Sequence, residues 1–350
     1  MFGVNNYFLQ AHSSKYRLFE LGPLTKFQLG KKGFCLFPYQ NPVKKGIDLC
    51  FFPLLSQIEF EEKEFAQNDY RIELKASEDK QAYIKNVNEI KQHIQLGDLY
   101  EMNYCTEFFC ENAEIDPLEV YLKLNQFTNA PYSSLVKIGD DFIICASPEL
   151  FLKRTGKELI TKPIKGTAPR GKNMEEDERL KEELYTSIKE RTENVMAVDV
   201  ARNDLSVIAS RGSVSVNKLY NIESYQTVHQ MVSTVKCELK ENISFQDIIQ
   251  ATFPMASMTG APKISAMNLI DEYEGFERKY YSGAMGRVEE NGDFEFCVII
   301  RSIFYNQRTK RLSIAVGSAI THLSDPEKEY EECLLKANAL LRALNADVVS

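Results

Sequence analysis

A chain of 350 residues, 44% hydrophobic and 26% charged, has enough apolar side chains for a large core in one large or two ordinary domains, and its composition is neither disordered nor collagen-like. A net charge of −8 argues against general nucleic-acid binding, which needs a basic face, no apolar run nears the length of a bilayer span, and four His are too few for a histidine-rich metal site. The eight Cys are scattered without a CxxC pair, several inside apolar runs (Cys145 in IICAS, Cys297 in FEFCVII), and read as buried free thiols of a cytoplasmic protein rather than disulfides or zinc ligands.

The N-terminus lacks a basic segment followed by an apolar one, so no secretory signal is expected. Residues 1–75 are aromatic-rich and broken by Gly and Pro, which predicts short strands and turns ending in the acidic EFEEKEF. From Ser77 the pattern changes. Tyr83, Val87, Ile90 and Ile94 recur at helical spacing, predicting a helix closed by Gly97. LYEMNYCTEFFC alternates as a strand does, and 117–128 predicts a second, short helix. Residues 133–166 read as successive strands with turns at Gly139–Asp140 and Thr155–Gly156. A long helix is predicted from about Met174 to Val200, with Leu180, Leu184, Ile188, Val195 and Val198 as its buried stripe. Residues 212–239 are strand-like, ISFQDIIQATF is helical, and the Pro/Gly segment PMASMTGAPK leads into a helix over ISAMNLIDEYE. YYSGAMGRVEENGDFEFCVIIRSIFY predicts a hairpin with a type I′ turn at Asn291–Gly292. A strand in RLSIAVGSAITHLS and a helix capped by Asp325–Pro326 and running to about Leu344 complete the pattern. Helices and hairpins alternate without the strand–helix rhythm of a parallel sheet, which predicts an α+β fold with large antiparallel sheets.

Glu190 and Glu193 share one face of the long helix, and Glu329 and Glu332 repeat that spacing on the last one. Converging, the two pairs would make an oxygen-rich site for Mg²⁺; solvated acidic faces are the other reading of the same spacing. In SMTGAPK, Thr259 and Gly260 lead into a helix N-terminus that attracts anions, with Lys263 adding charge, although an ordinary capped helix reads the same way. Small residues around Gly317 and Ser318 would let a carboxylate approach the backbone. Arg301 ends an apolar strand and suits either bidentate carboxylate binding or a structural ion pair. By themselves His229 reads as a structural strand histidine, and Glu149 as a general acid or an exposed Glu. TKPIKGTAPRG holds Lys165 on a short stretch bounded by Pro163 and Pro169, a constraint that a solvated lysine does not need. Phosphate-loop, dinucleotide and nucleophile-elbow motifs are absent.

Taken in order, CASPELF, PIKGTAPRG, ERTENVMAVDVARNDL, VHQMVSTV, SMTGAPKISAMNLIDEYE, YYSGAMGRV and FCVIIRS closely resemble the chorismate-utilising enzymes. That family includes anthranilate synthase component I, aminodeoxychorismate synthase component I and the isochorismate and salicylate synthases. The resemblance implies a single large α+β chorismate-binding domain over 76–350. Orthogonally packed antiparallel sheets would lie between outer helices (α/β/β/α layers), with the site in a cleft between them. The strand-rich region 1–75 would pack on the same unit; it is shorter than is usual for the family, so a tryptophan-binding element is not assumed.

Within the family, PIKGT resembles the aminodeoxychorismate branch, whereas anthranilate synthases carry Ala at the position of Lys165. The resemblance therefore implies that Lys165 attacks chorismate at C2 and expels the C4 hydroxyl. Ammonia then adds at C4 and displaces the lysine, giving 4-amino-4-deoxychorismate for 4-aminobenzoate and folate synthesis. An attacking amine is expected to be neutral, with a depressed pKa. By the same resemblance Glu149 protonates the leaving hydroxyl, and Glu193, Glu332, Glu190 and Glu329 bind Mg²⁺. Tyr281 and Arg301 hold the enolpyruvyl carboxylate with amides near Gly317 and Ser318, His229 flanks the ring, and Thr259, Gly260 and Lys263 line the ring-carboxylate side. Ala319 departs from the family's usual Gly. No Cys sits in an amidotransferase setting, so ammonia is expected from solution or from a separate glutamine amidotransferase subunit. The rival expectations are anthranilate synthase component I, an isochorismate-type synthase using water, and a weakly catalytic subunit that stimulates an amidotransferase.

Overall fold

A computed structural model of the chain describes residues 5–12, 15–28, 30–61, 71–225 and 228–349; residues 62–65, in the acidic end of the N-terminal region, lie outside the described residues. Side-chain alternation along the strands sorts the apolar residues into three clusters. On strand Asp141–Ser147, Phe142, Ile144 and Ala146 face one cluster, and Ile143 and Cys145 face another. On Gly33–Phe37, Phe34 and Leu36 join Ile143, whereas Cys35 and Phe37 point to the third. The shared cluster, with Phe8, Phe19, Phe52 and Met285, is the layer between two sheets. The first outer cluster buries the helices Lys80–Leu96, Pro117–Thr128 and Pro326–Leu344. The second buries Ile188–Ile208 and Phe245–Thr252. The order helix, sheet, sheet, helix is the layering the resemblance implies.

In the first sheet the strands Lys15–Leu21, Asn6–His12, Tyr132–Ile138, Asp141–Ser147, Ser302–Asn306, Leu312–Ile320 and Glu101–Cys110 are antiparallel neighbours in that order. In the second, Gly33–Phe37, Ala284–Val288, Phe294–Val298, Leu150–Thr155, Glu158–Thr161 and Val228–Glu238 follow one another. Strand Cys50–Glu61 pairs with Gly33–Phe37 at its start and with Lys15–Leu21 beyond, and so joins the two sheets. N-terminal strands therefore hydrogen-bond into both sheets of the large unit. Among the described residues no helix is long and apolar enough to cross a membrane.

Two expectations from the sequence are corrected. The long helix is two helices, Met174–Thr186 and Ile188–Ile208, broken at Ser187, which has extended backbone (ψ 115°) and whose side-chain Oγ caps the second helix by accepting from Glu190 N. The break changes the helical phase. Ile188 and Val195 of the expected stripe are exposed, while Glu193, Asn194, Ala197 and Val198 turn inward. The hairpin turn is not type I′, because only Gly292 has positive φ (83°). Gly292 N donates to Glu289 O and Glu289 N to Asp293 O, a three-residue loop with one left-handed glycine.

Candidate active site

Strand Ile164–Pro169 carries the lysine of the stiff segment. Its pairing with Val228–Glu238 slips between Ile164, opposite Val232, and Thr167, opposite Gln230, so Lys165 and Gly166 form a bulge. A bulge re-aims a side chain that regular pleating would send elsewhere. Gly166 sits at φ 91°, and a Cβ there would lie 2.8 Å from Glu190 Oε2. Only glycine meets both the left-handed conformation and the close approach. Lys165 is 7% exposed, and its Nζ forms a short ion pair with Glu101 Oε1. Burial pulls the Lys165 pKa down, but the charges of Glu101, Glu193 and Glu149 outweigh it, and the net shift is upward. This corrects the expected neutral amine: the lysine rests as an ammonium.

Glu149 lies in the two-residue link after strand Asp141–Ser147, fixed by its N–H to Ser147 Oγ and its carbonyl to Val298 N. Ser257, in the turn Ala256–Met258, donates to Glu149 Oε1 at 2.6 Å. Burial pushes the Glu149 carboxyl up to about 7, against the opposing pull of the Ser257 hydrogen bond and the Lys165 charge. A buried acid at that value can deliver a proton at neutral pH.

The Ser187 break and the final helix bring Glu190, Glu193, Glu329 and Glu332 together. Lys189 Nζ lies 3.1 Å from Glu329, 3.7 Å from Glu193 and 4.0 Å from Glu332, and Lys336 Nζ is 2.7 Å from Glu332. Burial raises Glu193 to about 8, partly offset by Lys165. Glu193 Oε1 and Glu329 Oε2 are buried without hydrogen-bond partners. Among the described residues no three acidic, His or Cys side chains stand ready as a ligand set. The donor type nonetheless fits a hard divalent cation: four carboxylates, two with orphaned oxygens, now partly neutralised by an ammonium.

These residues line one open cavity with about 760 Å³ of empty space, where Lys165, Glu149, Glu190, Glu193 and Glu332 meet Tyr281, Arg301 and Gly317. Arg301 has positive φ (50°), burial lowers its pKa, and among the described residues its guanidinium makes one long hydrogen bond, to Lys336 O at 3.5 Å. Its donors are thus free for an anion. Glu329, which reaches the cluster only through Lys189, and the other candidates lie outside that lining. His229 is held between Ser224 Oγ (2.8 Å) and Asp177 Oδ1 (3.1 Å). Lys263 is committed to Asp204 at 2.5 Å, Thr259 donates to Met255 O, and Ser318 bonds Tyr83 OH on the far face of its strand. Gly260 pairs with strand Glu101–Cys110, its backbone against Glu101 O.

The profile of the chorismate binding enzyme family matches residues 45–342. The chain belongs to the chorismate binding enzymes. It is 40% identical over 258 residues to aminodeoxychorismate synthase component 1 of Bacillus subtilis (strain 168), covering 74% of this chain and 54% of that one. It is 36% identical over 266 residues to anthranilate synthase component 1 1 of Haloarcula marismortui, covering 76% and 54%. The chain spans about half the length or less of the curated relatives it matches. Its fold is that of the menaquinone-specific isochorismate synthase of Escherichia coli, with a TM-score of 0.82 at 16% identity over 97% of this chain and 89% of the other.

Sequence reasoning missed four residues in or against this chorismate binding enzyme's cleft. Glu101 was legible as a carboxylate within the alternating strand LYEMNYC; Ser257 lay in the loop read for Thr259. Lys189 and Lys336 each adjoin or face the paired glutamates and read only as helix-surface charges. Lys165, Arg301 and Lys336 share the lining with Glu149, Glu190, Glu193 and Glu332, while Glu101 pairs with Lys165, and Lys189 with Glu193 and Glu329, from outside it.

Proposed function

We propose that this protein is an aminodeoxychorismate synthase component I, converting chorismate and ammonia to 4-amino-4-deoxychorismate. The observation that carries the reading is the buried Lys165 amine, aimed by a bulge into a cavity it shares with the protonatable Glu149. The 40% identity to a relative of that name supports it. Lys165 Nζ forms the bond to C2 as both ring double bonds shift by one position and the C4–O bond breaks, and Glu149 gives its proton to the departing hydroxyl. Ammonia adds at C4 and the amine leaves. Arg301 pairs with a substrate carboxylate, with Tyr281 and the backbone at Gly317 beside it. Glu190, Glu193, Glu329 and Glu332 would hold Mg²⁺, which would supply positive charge to offset these carboxylates and to favour an anionic substrate. Ammonia comes from a separate glutamine amidotransferase subunit.

Purified protein with chorismate, Mg²⁺ and ammonium is expected to accumulate 4-amino-4-deoxychorismate, identified by mass and by conversion to 4-aminobenzoate with an added lyase. Direct appearance of anthranilate, or of isochorismate without ammonium, would replace this reading.

Two further outcomes are expected. Arg301→Lys raises the KM for chorismate about 10- to 100-fold, the worth of a charge-assisted bidentate contact, with a smaller change in kcat; an unchanged KM removes Arg301 from substrate binding. Lys189→Met removes the ammonium that competes for the carboxylates and tightens Mg²⁺ binding about tenfold by titration calorimetry. Weaker binding in that variant would mean the four glutamates do not hold the metal.

A further inference from the structure

Lys165 stands as an ammonium, so one proton separates it from nucleophilicity, and the cleft must contain a group to receive it. Three carboxylates act most strongly on the amine: Glu101, Glu193 and Glu149, with Glu332 farther off. Glu149 already accepts from Ser257 and is the donor to the leaving hydroxyl. Glu193 belongs to the acidic cluster on the opposite helix, where Lys189 faces it. Glu101 is different. Its Oε1 contacts Lys165 directly, and its Oε2 is buried with no hydrogen-bond partner. Its position is fixed by the backbone: Glu101 opens strand Glu101–Cys110, and a Cβ at Gly260 would come within 2.1 Å of its carbonyl, so strand Gly260–Ala261 clamps it.

We propose, resting on the aminodeoxychorismate synthase reading, that Glu101 is the base that takes the Lys165 proton before attack and returns it when the amine leaves. The ammonium–carboxylate pair becomes an amine and a carboxylic acid across one hydrogen bond, with no change in net charge. The freed lone pair forms the bond to C2, the C4–O bond breaks, and the hydroxyl leaves as water with the proton from Glu149. When ammonia has added at C4 and the C2–N bond breaks, Lys165 recovers its proton from Glu101. The two side chains already share one hydrogen bond in the buried site, so the transfer needs no rearrangement of either.

The test is single-turnover formation of the Lys165–substrate adduct, followed by intact-protein mass spectrometry. Glu101→Gln is expected to slow adduct formation about 10²- to 10³-fold, the usual span for a lost general base, with the KM for chorismate unchanged. Formate is expected to restore the rate of Glu101→Ala with rising concentration and to do nothing for Glu149→Gln. A structural role for Glu101 predicts no such rescue. Wild-type adduct rates in folded Glu101→Gln, or a folded Glu101→Ala indifferent to formate, overturn the proposal. Where neither neutral variant folds, Glu101→Asp, which keeps the ion pair at altered reach, is expected to lower kcat alone, and an unaltered rate overturns it. Failure of the reaction reading shows differently: wild-type protein itself makes no 4-amino product.

Discussion

Lys165→Arg is expected to leave the protein folded and to reduce amination of chorismate by ~10³-fold or more. Arginine keeps a positive charge beside Glu101, Glu149 and Glu193 but stays protonated at every accessible pH, so it has no lone pair to offer. The substitution therefore separates the charge of residue 165 from its chemistry. Lys165→Met removes both. It is expected to be equally inactive and also less stable by about 3–5 kcal/mol, because the Glu101 carboxylate, 2% exposed, loses its counter-ion. Denaturant unfolding and product analysis of the two variants check this together. Near-normal turnover in Lys165→Arg would remove the covalent step, while the family membership, which rests on 45–342 as a whole, would stand.

Glu149→Gln is expected to lower kcat about 10²- to 10⁴-fold, since glutamine keeps the shape and the contact with Ser257 but cannot donate a proton to the leaving hydroxyl. The pH dependence follows from the raised pKa. Glu149 is protonated below about 7 and ionised above it, so the wild-type rate is expected to fall roughly tenfold per unit above that value. The sign for stability is the same. The folded state holds this proton more tightly than the unfolded state, so the stabilisation is complete below the ordinary carboxyl range near 4.5 and is lost as pH rises through about 7. Glu149→Gln is neutral at all pH values and is expected to be no less stable than wild type at pH 8, which distinguishes lost chemistry from lost fold. A wild-type rate that is flat from pH 6 to 9 would take the proton-donor role away from Glu149.

Much of the fold was legible because local chemistry and tertiary packing agree. The helix closed at Gly97 forms where it was expected, Lys80–Leu96, with Asp79 capping its first turn and Gly97 left-handed at φ 86°. Helix Pro326–Leu344 starts at its Asp325–Pro326 signal. The misread long helix is informative for the opposite reason. Glutamate and lysine run through 174–186 and on to Glu193, so propensity favours continuity, and only the Ser187 cap and the inward turn of Asn194 toward Met231 O and Ser233 show that the second helix has its own phase.

The site divides in the same way. Lys165 was conspicuous because proline and glycine around an amine are a local signal, and the paired glutamates were visible as spacing. Their convergence was not, because Glu193 and Glu329 are 136 positions apart and spacing carries no information across that distance. The charge state of Lys165 was misjudged because it depends on Glu101, which arrives from a separate strand held against Gly260, and on the bulge at Lys165 and Gly166 in its own strand. His229, Lys263 and Ser318 show the reverse error: each lies in a recognisable motif, yet its side chain is engaged with Asp177, Asp204 or Tyr83 away from the cavity lining.

The order of residues by itself determined the antiparallel α+β class, the helix ends at Gly97 and Asp325, the absence of a strand–helix repeat and the unusual stiffness around one lysine, since these arise from neighbours within a few turns of chain. The folded chain alone decided which acids face that lysine, which of them hold protons and which cations sit among them. Those properties are set by burial and by charges a few ångströms apart in space, and residues more than a hundred positions apart acquire such neighbours only when two sheets and their covering helices close around a cleft.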